Sequence, residues 1–281
     1  MYNGELYISQ AIESLLAQTY TNFELIICDN ASTDSTVALC QKFARQDDRV
    51  TVIESHRNRG QVANFLKAFD AGKGKYFAWA GDHDIWHPYW LESLVAELEA
   101  DARVVLAYPI YLKVSDEGKP LGTGGWRFHT SDISDRRGRL RTVMRQMSAG
   151  NMIYGLFRMV ALRRVGGQHR ILLPDRMLIA EVSLLGRFRQ VPQMFWYRRH
   201  RRGRFSIERQ RQSLFGPRRP LWAWLPWSLT HPFVLAWSFG VRGTGRPDIG
   251  RIAGWTLALE SIVIGVAEQL SQLRRGLRQR R

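Results

Sequence analysis

The chain is short of cysteine, lysine and acidic residues, and each shortage narrows what it can be. Its two cysteines, Cys28 and Cys40, stand alone in apolar patterns. That excludes a disulfide framework or a cysteine zinc site and suits a reducing compartment; both read as plain core residues. The start, MYNGELYIS, lacks a basic stretch followed by an apolar run, so no secretory signal is visible in it. Lysine numbers 6 against 35 arginines, and 41 basic residues against 25 acidic ones leave a net charge of +16. Such a surface favours polyanions: nucleic acid, anionic lipid or a diphosphate-bearing substrate.

What is present is alternation. ELYISQAIESLLAQ (5–18) places Ile8, Ile12, Leu15 and Leu16 on one helical face, with Asn3 as the expected N-cap. FELIIC then reads as a buried strand, DNASTDST as a polar loop and VALCQKFA as a helix. The cycle repeats through VTVI, ESHRNRG and QVANFLKAFDA, then through KYFAWA, GDHD and YWLESLVAELEA, to VVLAYP. This order predicts an α/β domain of βαβ units with a mainly parallel sheet, its ligands bound beyond the carboxyl ends of the strands. The series opens on a helix where such a domain normally opens on a strand, so the expectation is a truncated start or a sheet lacking a member. From about residue 113 the Gly- and charge-rich composition reads as a mobile loop, and helical spacing returns in PDRMLIAEVSLLG.

The stretch FAWAGDHDIWHPYWLE ends an apolar run in two carboxylates, Asp82 and Asp84, at i, i+2. In an extended segment these leave one face while His83 leaves the other. Aligned carboxylates repel unless water or a cation sits between them.

Several motifs in order, YNGELYISQAIESLLAQTYTNFELIICDNASTDST and then NRGQVANFLKAFDAGKGKYFAWAGDHDIWHPYWLE, resemble the family 2 glycosyltransferases, which have the GT-A fold and are mostly inverting. The resemblance covers roughly 2–205. The family usually begins with a strand leading into a Pro-x-Tyr-Asn turn, and this sequence starts inside that turn. The resemblance implies that Asp29 contacts the nucleotide base and that Asn58, Arg59 and Gly60 line the nucleoside side. Asp82 and Asp84 match the Asp-x-Asp that holds Mg²⁺ or Mn²⁺ on the donor diphosphate. Asp175 matches the catalytic base, with Glu181 as its substitute. Arg198, Arg199 and His200 match a segment near the diphosphate, where Arg198 and Arg199 would bind the donor and His200 the metal. The chemistry agrees: such ions favour carboxylate oxygens and share their shell with phosphate, and a carboxylate can take the acceptor's proton. His56, His87, His129, His169 and His231 read as structural or surface residues.

Two regions are therefore expected: a catalytic domain over 1–205 and a basic, Trp-rich helical region over 206–281. Within the second, Leu221–Val241 carries no formal charge over 21 residues, long enough to span a bilayer. Pro226 and Pro232 break it and Trp is scattered along it, which points to an interfacial or packed segment. IAGWTLALESIVIGVAEQL reads as an amphipathic helix lying on anionic lipid or packed on the catalytic domain. The expected partners are a nucleotide-diphosphate sugar, a glycan or lipid-linked acceptor and an anionic membrane surface, in a cytoplasmic protein peripheral to the plasma membrane. A non-catalytic nucleotide-sugar- or membrane-binding homologue and a basic nucleic-acid-binding protein are the alternatives; no nucleic-acid motif interleaves with the arginines.

Overall fold

In the computed structural model, residues 1–124, 127–147, 149–200, 206–215, 220–241, 255–257 and 259–267 are described. Apolar residues at helical spacing build α1 (Ile8–Leu16), which buries Ile8, Ala11, Ile12 and Leu15. Asn3 is not its cap, since Tyr7 holds that position. Asn3 takes a left-handed backbone with φ of 51° and exchanges side-chain hydrogen bonds with Thr33. A short polar side chain that bonds locally tolerates that conformation. The expected βαβ unit is present as β1 (Leu25–Cys28), α2 (Thr36–Ala44) and β2 (Val50–Ile53), with β1 and β2 parallel from Leu25 opposite Val50 to Cys28 opposite Ile53.

Next come α3 (Gln61–Ala71), β3 (Tyr76–Phe77), β4 (Ile85–Trp86), α4 (Trp90–Ala100) and β5 (Val104–Val114). The region expected to be a mobile loop holds two elements, β6 (Pro120–Gly124) and α5 (Arg136–Gln146). Asp135 caps α5 by accepting from the Arg137 and Gly138 N–H groups, and Leu140, Val143 and Met144 turn its apolar side inward. Arginine density concealed that spacing in the sequence. There follow α6 (Ala149–Met152), β7 (Leu156–Arg158), α7 (Met159–Val165), α8 (Pro174–Leu185), β8 (Arg187–Arg199), α9 (Ile207–Phe215) and α10 (Trp227–Leu235).

The second sheet runs β3-β7-β5-β8-β4, with β6 on the outer part of β5. Its long central pair, β5 and β8, is parallel; β3–β7, β5–β7, β5–β6 and β4–β8 are antiparallel. One face of this mixed sheet packs on α5, α7 and α8 through residues such as Leu106, Leu140, Phe157, Leu178 and Phe188. The other face packs on α4 through Trp86, Trp90, Leu94 and Trp196. Both cysteines are buried and free.

An apolar cavity of about 450 Å³ lies between β1 and β3, lined by residues including Ile8, Ile12, Ile27, Phe65 and Trp79. Among the described residues no strand precedes α1, and β1 pairs with β2 alone. Met1 nevertheless makes both hydrogen bonds of a parallel ladder with the end of β1: its amine donates to the Cys28 carbonyl (2.8 Å) and its carbonyl accepts from the Asn30 N–H (3.0 Å).

After α10 the chain makes a π-helical turn, Ala236–Val241, and it is helical again over 255–257 and 259–267. Leu235, Ala236, Phe239, Leu257 and Ile264 belong to the same core as α5, α7 and α8. Among the described residues, those after 206 thus share a core with the sheet domain. The basic cluster RRGLRQRR at 274–281 lies outside the described residues.

Candidate active site

The first carboxylate follows β1. Asp29 is buried, and its oxygens accept from the Ser32 N–H (3.0 Å) and Ser32 hydroxyl (2.5 Å), closing an Asx turn. Its neighbour Asn30 joins this loop to the next one. The Asn30 amide donates to Asn58 Oδ1 and accepts from the Arg59 N–H, both at 2.9 Å, and Asn58 Oδ1 also accepts from the Gly60 N–H. Gly60 has φ of 83°, a conformation open to glycine, which lets the loop turn into α3. Arg59 is exposed at the rim.

Asp82 and Asp84 lie in a turn and not in an extended strand, so the alternation argued from the sequence does not apply to them. His83 does not face away. Its ring stands between the two carboxylates, Nδ1 at 2.8 Å from Asp82 and Nε2 at 3.7 Å from Asp84. Asp84 is 2% exposed and accepts from Trp196 Nε1 (2.9 Å) and the Arg199 backbone N–H (3.0 Å). Burial raises its pKa above the ordinary carboxylate value, against the opposing pull of His83 and those hydrogen bonds. Asp82 is partly exposed, with Gly4 alongside.

Asp175 sits in the first turn of α8, behind Pro174. Gln168 Nε2 donates to its Oδ1 at 2.6 Å. Burial pushes its pKa up to about 6, while the Gln168 bond and the charge of Arg198 restrain the rise. Arg198 ties the two halves of the site together, since its charge also lowers the pKa of Asp84. Tyr154 marks the same convergence: burial raises its phenol pKa, Asp175, Asp84 and Asp82 push it further, and Arg198 opposes them.

Arg198 and Arg199 leave opposite faces of β8, as the period of a strand requires. Arg198 donates to Asn151 Oδ1 (2.9 Å) and lies over the Tyr111 and Trp196 rings. Arg199 is buried and donates to the His83 carbonyl (2.9 Å) and to Gln10 Oε1 (2.7 Å), so it fixes the Asp-His-Asp turn from behind. Its Nε has no hydrogen-bond partner among the described residues. His200 is exposed past the end of β8, with its N–H on the Val114 carbonyl. Glu181 is fully buried, bound by His169 Nε2 (2.8 Å) and the Ser238 hydroxyl (2.6 Å). It clamps the C-terminal region onto α8. Tyr154, Gln168, Asn151 and Gln10 escaped sequence reasoning, because none lies in a spacing that marks chemistry.

Among the described residues no three or more His, Cys, Asp or Glu side chains cluster to hold a metal. The residues nonetheless fit a hard divalent ion. Asp84 is a buried carboxylate whose hydrogen-bond donors are the neutral Trp196 and backbone N–H groups, and Asp82 adds carboxylate oxygen beside it.

The family model for glycosyl transferase family 2 matches residues 1–164. An uncharacterized glycosyltransferase of Haemophilus influenzae is 34% identical over 132 residues, 47% of this chain and 40% of that protein. The Escherichia coli UDP-Glc:alpha-D-GlcNAc-diphosphoundecaprenol beta-1,3-glucosyltransferase WfaP is 32% identical over 110 residues, 39% of this chain and 43% of that protein. The matched stretch thus spans less than half the length of these relatives. In structure the chain is similar to residues 1–349 of Staphylococcus aureus TarS in complex with UDP-GlcNAc, with a TM-score of 0.61 at 16% identity over 97% of this chain and 81% of that one. It is also similar to the mannosyltransferase PcManGT of Pyrobaculum calidifontis in complex with GDP-Man and Mn²⁺, with a TM-score of 0.51 at 17% identity over 96% and 73% of the two chains. With its mixed sheet in the GT-A fold and the family's motifs in order along the chain, this protein belongs to the family 2 glycosyltransferases.

Proposed function

We propose that the protein transfers a sugar, with inversion, from a nucleotide-diphosphate sugar to a glycan or lipid-linked acceptor on the cytoplasmic side of the membrane. The observation that carries the reading is Asp175: a carboxylate tuned to about 6, sharing Arg198 with the Asp-His-Asp turn. A group with that pKa is ionised at neutral pH yet basic enough to accept a proton as a bond forms.

Asp175 takes the proton of the acceptor hydroxyl while that oxygen attacks the anomeric carbon. The bond from that carbon to the diphosphate oxygen breaks, and its electron pair leaves with the diphosphate. Arg198 opposes the charge that builds on the leaving group. Asp82 and Asp84 would hold Mg²⁺ or Mn²⁺, which when bound supplies Lewis-acid stabilisation of the diphosphate. The Asn30–Asn58 bridge holds the two loops that would flank the nucleoside, with Asp29 and Arg59 at its ends. His200, exposed past the end of β8, is a further candidate ligand for that ion. The Arg surplus supports an anionic partner in general.

Release of nucleoside diphosphate from a panel of nucleotide sugars tests this. Turnover should need a divalent ion, stop on chelation, and be lost in Asp84→Ala with the fold unchanged by circular dichroism. Full activity of that variant in chelator would remove the metal; absence of any donor binding would remove the transferase reading.

A further inference from the structure

The C-terminal helices carry an exposed apolar face. Leu229 and Phe233 of α10 and Trp237 of the π-helical turn, four residues apart, are all exposed, Phe233 at 70%, with exposed Leu225 just ahead of α10. The helical stretches 255–257 and 259–267 repeat the pattern with Trp255, Leu259 and Val263, the last also 70% exposed. The two helices are neighbours: a Cβ added at Gly265 would stand in ordinary van der Waals contact with Ser228 and the Trp227 ring. Their opposite sides are committed to the core through Leu235, Phe239, Leu257 and Ile264. A row of large apolar and aromatic side chains on two packed helices therefore points away from the protein, a pattern that marks an interaction site.

Charge beside the face says what covers it. Arg137, Arg141 and Arg145 are exposed along one side of α5. Arg137 donates to Thr256 Oγ1 (3.2 Å) and Arg141 to Glu260 Oε1 (2.9 Å), so this basic row borders the helical stretches 255–257 and 259–267. Glu260, the acidic residue of that helix among those described, is matched by two guanidiniums, which leaves the border positive. Arg211 lies over the exposed Trp224 ring, 5.5 Å from its centroid, at the other end. An apolar and tryptophan face rimmed by arginine suits the headgroup zone of an anionic bilayer. No helix among the described residues is long and apolar enough to cross a membrane.

We infer that this two-helix face is a monotopic membrane-docking surface for anionic lipid. It extends the proposed reaction, on which its relevance to a lipid-linked acceptor rests. The first of these helices and its π-helical turn are tied to α8 by Ser238 on Glu181 and, just ahead of α8, by His231 Nε2 on the Leu172 carbonyl, and α8 bears Asp175. Seating the face would fix the orientation of α8, and with it Asp175, relative to the lipid surface where such an acceptor is displayed.

Flotation of the full chain with vesicles of equal parts phosphatidylcholine and phosphatidylglycerol tests the surface, alongside vesicles of phosphatidylcholine alone. The parent should float with the anionic vesicles, more weakly with the neutral ones, and be partly released by salt. The double variant Phe233→Glu/Val263→Glu changes only exposed positions. It should lose at least tenfold in bound fraction while keeping its melting temperature and its release of diphosphate from donor sugar. The inference fails if the double variant floats like the parent, if binding survives alkaline carbonate as a span would, or if the parent never floats. In the last case a dimer that the variant dissociates would assign the face to a second copy. Vesicle binding without any donor turnover would overturn the proposed reaction and leave the docking surface standing.

Discussion

A carboxylate that must accept a proton near neutrality has to be destabilised as an anion, and Asp175 shows how. Burial raises it to about 6 from the ordinary 3.8, and Gln168 and Arg198 keep the rise from going further. Activity should therefore climb about tenfold per pH unit below 6 and level off above it. Gln168→Leu removes a bond that favours the ionised form, so the acidic limb should move to higher pH with little change in donor affinity. A limb that stays in place would show that Gln168 only packs. Asp175→Asn should lower the transfer rate by about 10² or more while donor affinity stays within a fewfold. Linkage has a definite sign here. The folded-state pKa is raised, so this group's contribution to stability is fully present below about 4 and is lost as pH rises through about 6. Asp175→Asn should accordingly melt higher than the parent at pH 8 and show no such gain at pH 4; equal melting curves at both would contradict the buried charge. At this scale the sequence exposed the acidic residues by type and order. It could not show that Asp84 is buried under Trp196, that His83 stands between the two carboxylates, or that Gln168 reaches Asp175, since those depend on a turn and on side chains 7 to 115 positions apart.

Elements with a strong period were legible: β2 and α3 fall on the stretches VTVI and QVANFLKAFDA that periodicity marked. β6 and α5 were not, because glycine and arginine diluted the apolar spacing that long-range packing against β5 and α8 then enforced. The edge of β1 opposite β2 borders the apolar cavity. Leu25 and Asp29 donate to the Arg49 and Ile53 carbonyls, so alternation turns the Ile26 and Cys28 N–H groups toward the cavity. An edge whose N–H groups have no backbone partner among the described residues, beside an apolar space, should be the least protected part of the sheet. Native-state hydrogen exchange should find the Ile26 amide exchanging at least tenfold faster than Ile27, which faces β2. Equal protection of the two would mean that this edge is covered in solution.

For the whole molecule, composition suggested a catalytic domain with a separable basic tail, and the packing joins what composition divided. Leu235 is 1% exposed and shares one core with the helices behind the sheet, while Glu181, fully buried on α8, is bound by Ser238 from the same C-terminal region. Removing that region would strip apolar cover from α8 and leave a buried carboxylate with one partner fewer, each a cost of more than about 1 kcal/mol. Truncation is thus a poor way to ask whether the tail serves a membrane, because it also unseats the helix that carries Asp175. Point changes separate the two roles. Leu235→Ala should destabilise the chain by about 2–5 kcal/mol through the cavity it leaves, and at about 2–4 °C per kcal/mol for a domain of this size the melting temperature should fall by roughly 4–20 °C. Deleting 221–281 should cost at least as much and abolish donor turnover together with vesicle binding. If the truncated chain instead melts like the parent and still releases diphosphate from donor sugar, the tail is an independent appendage, and the continuity of the core across residue 206 carries no stability.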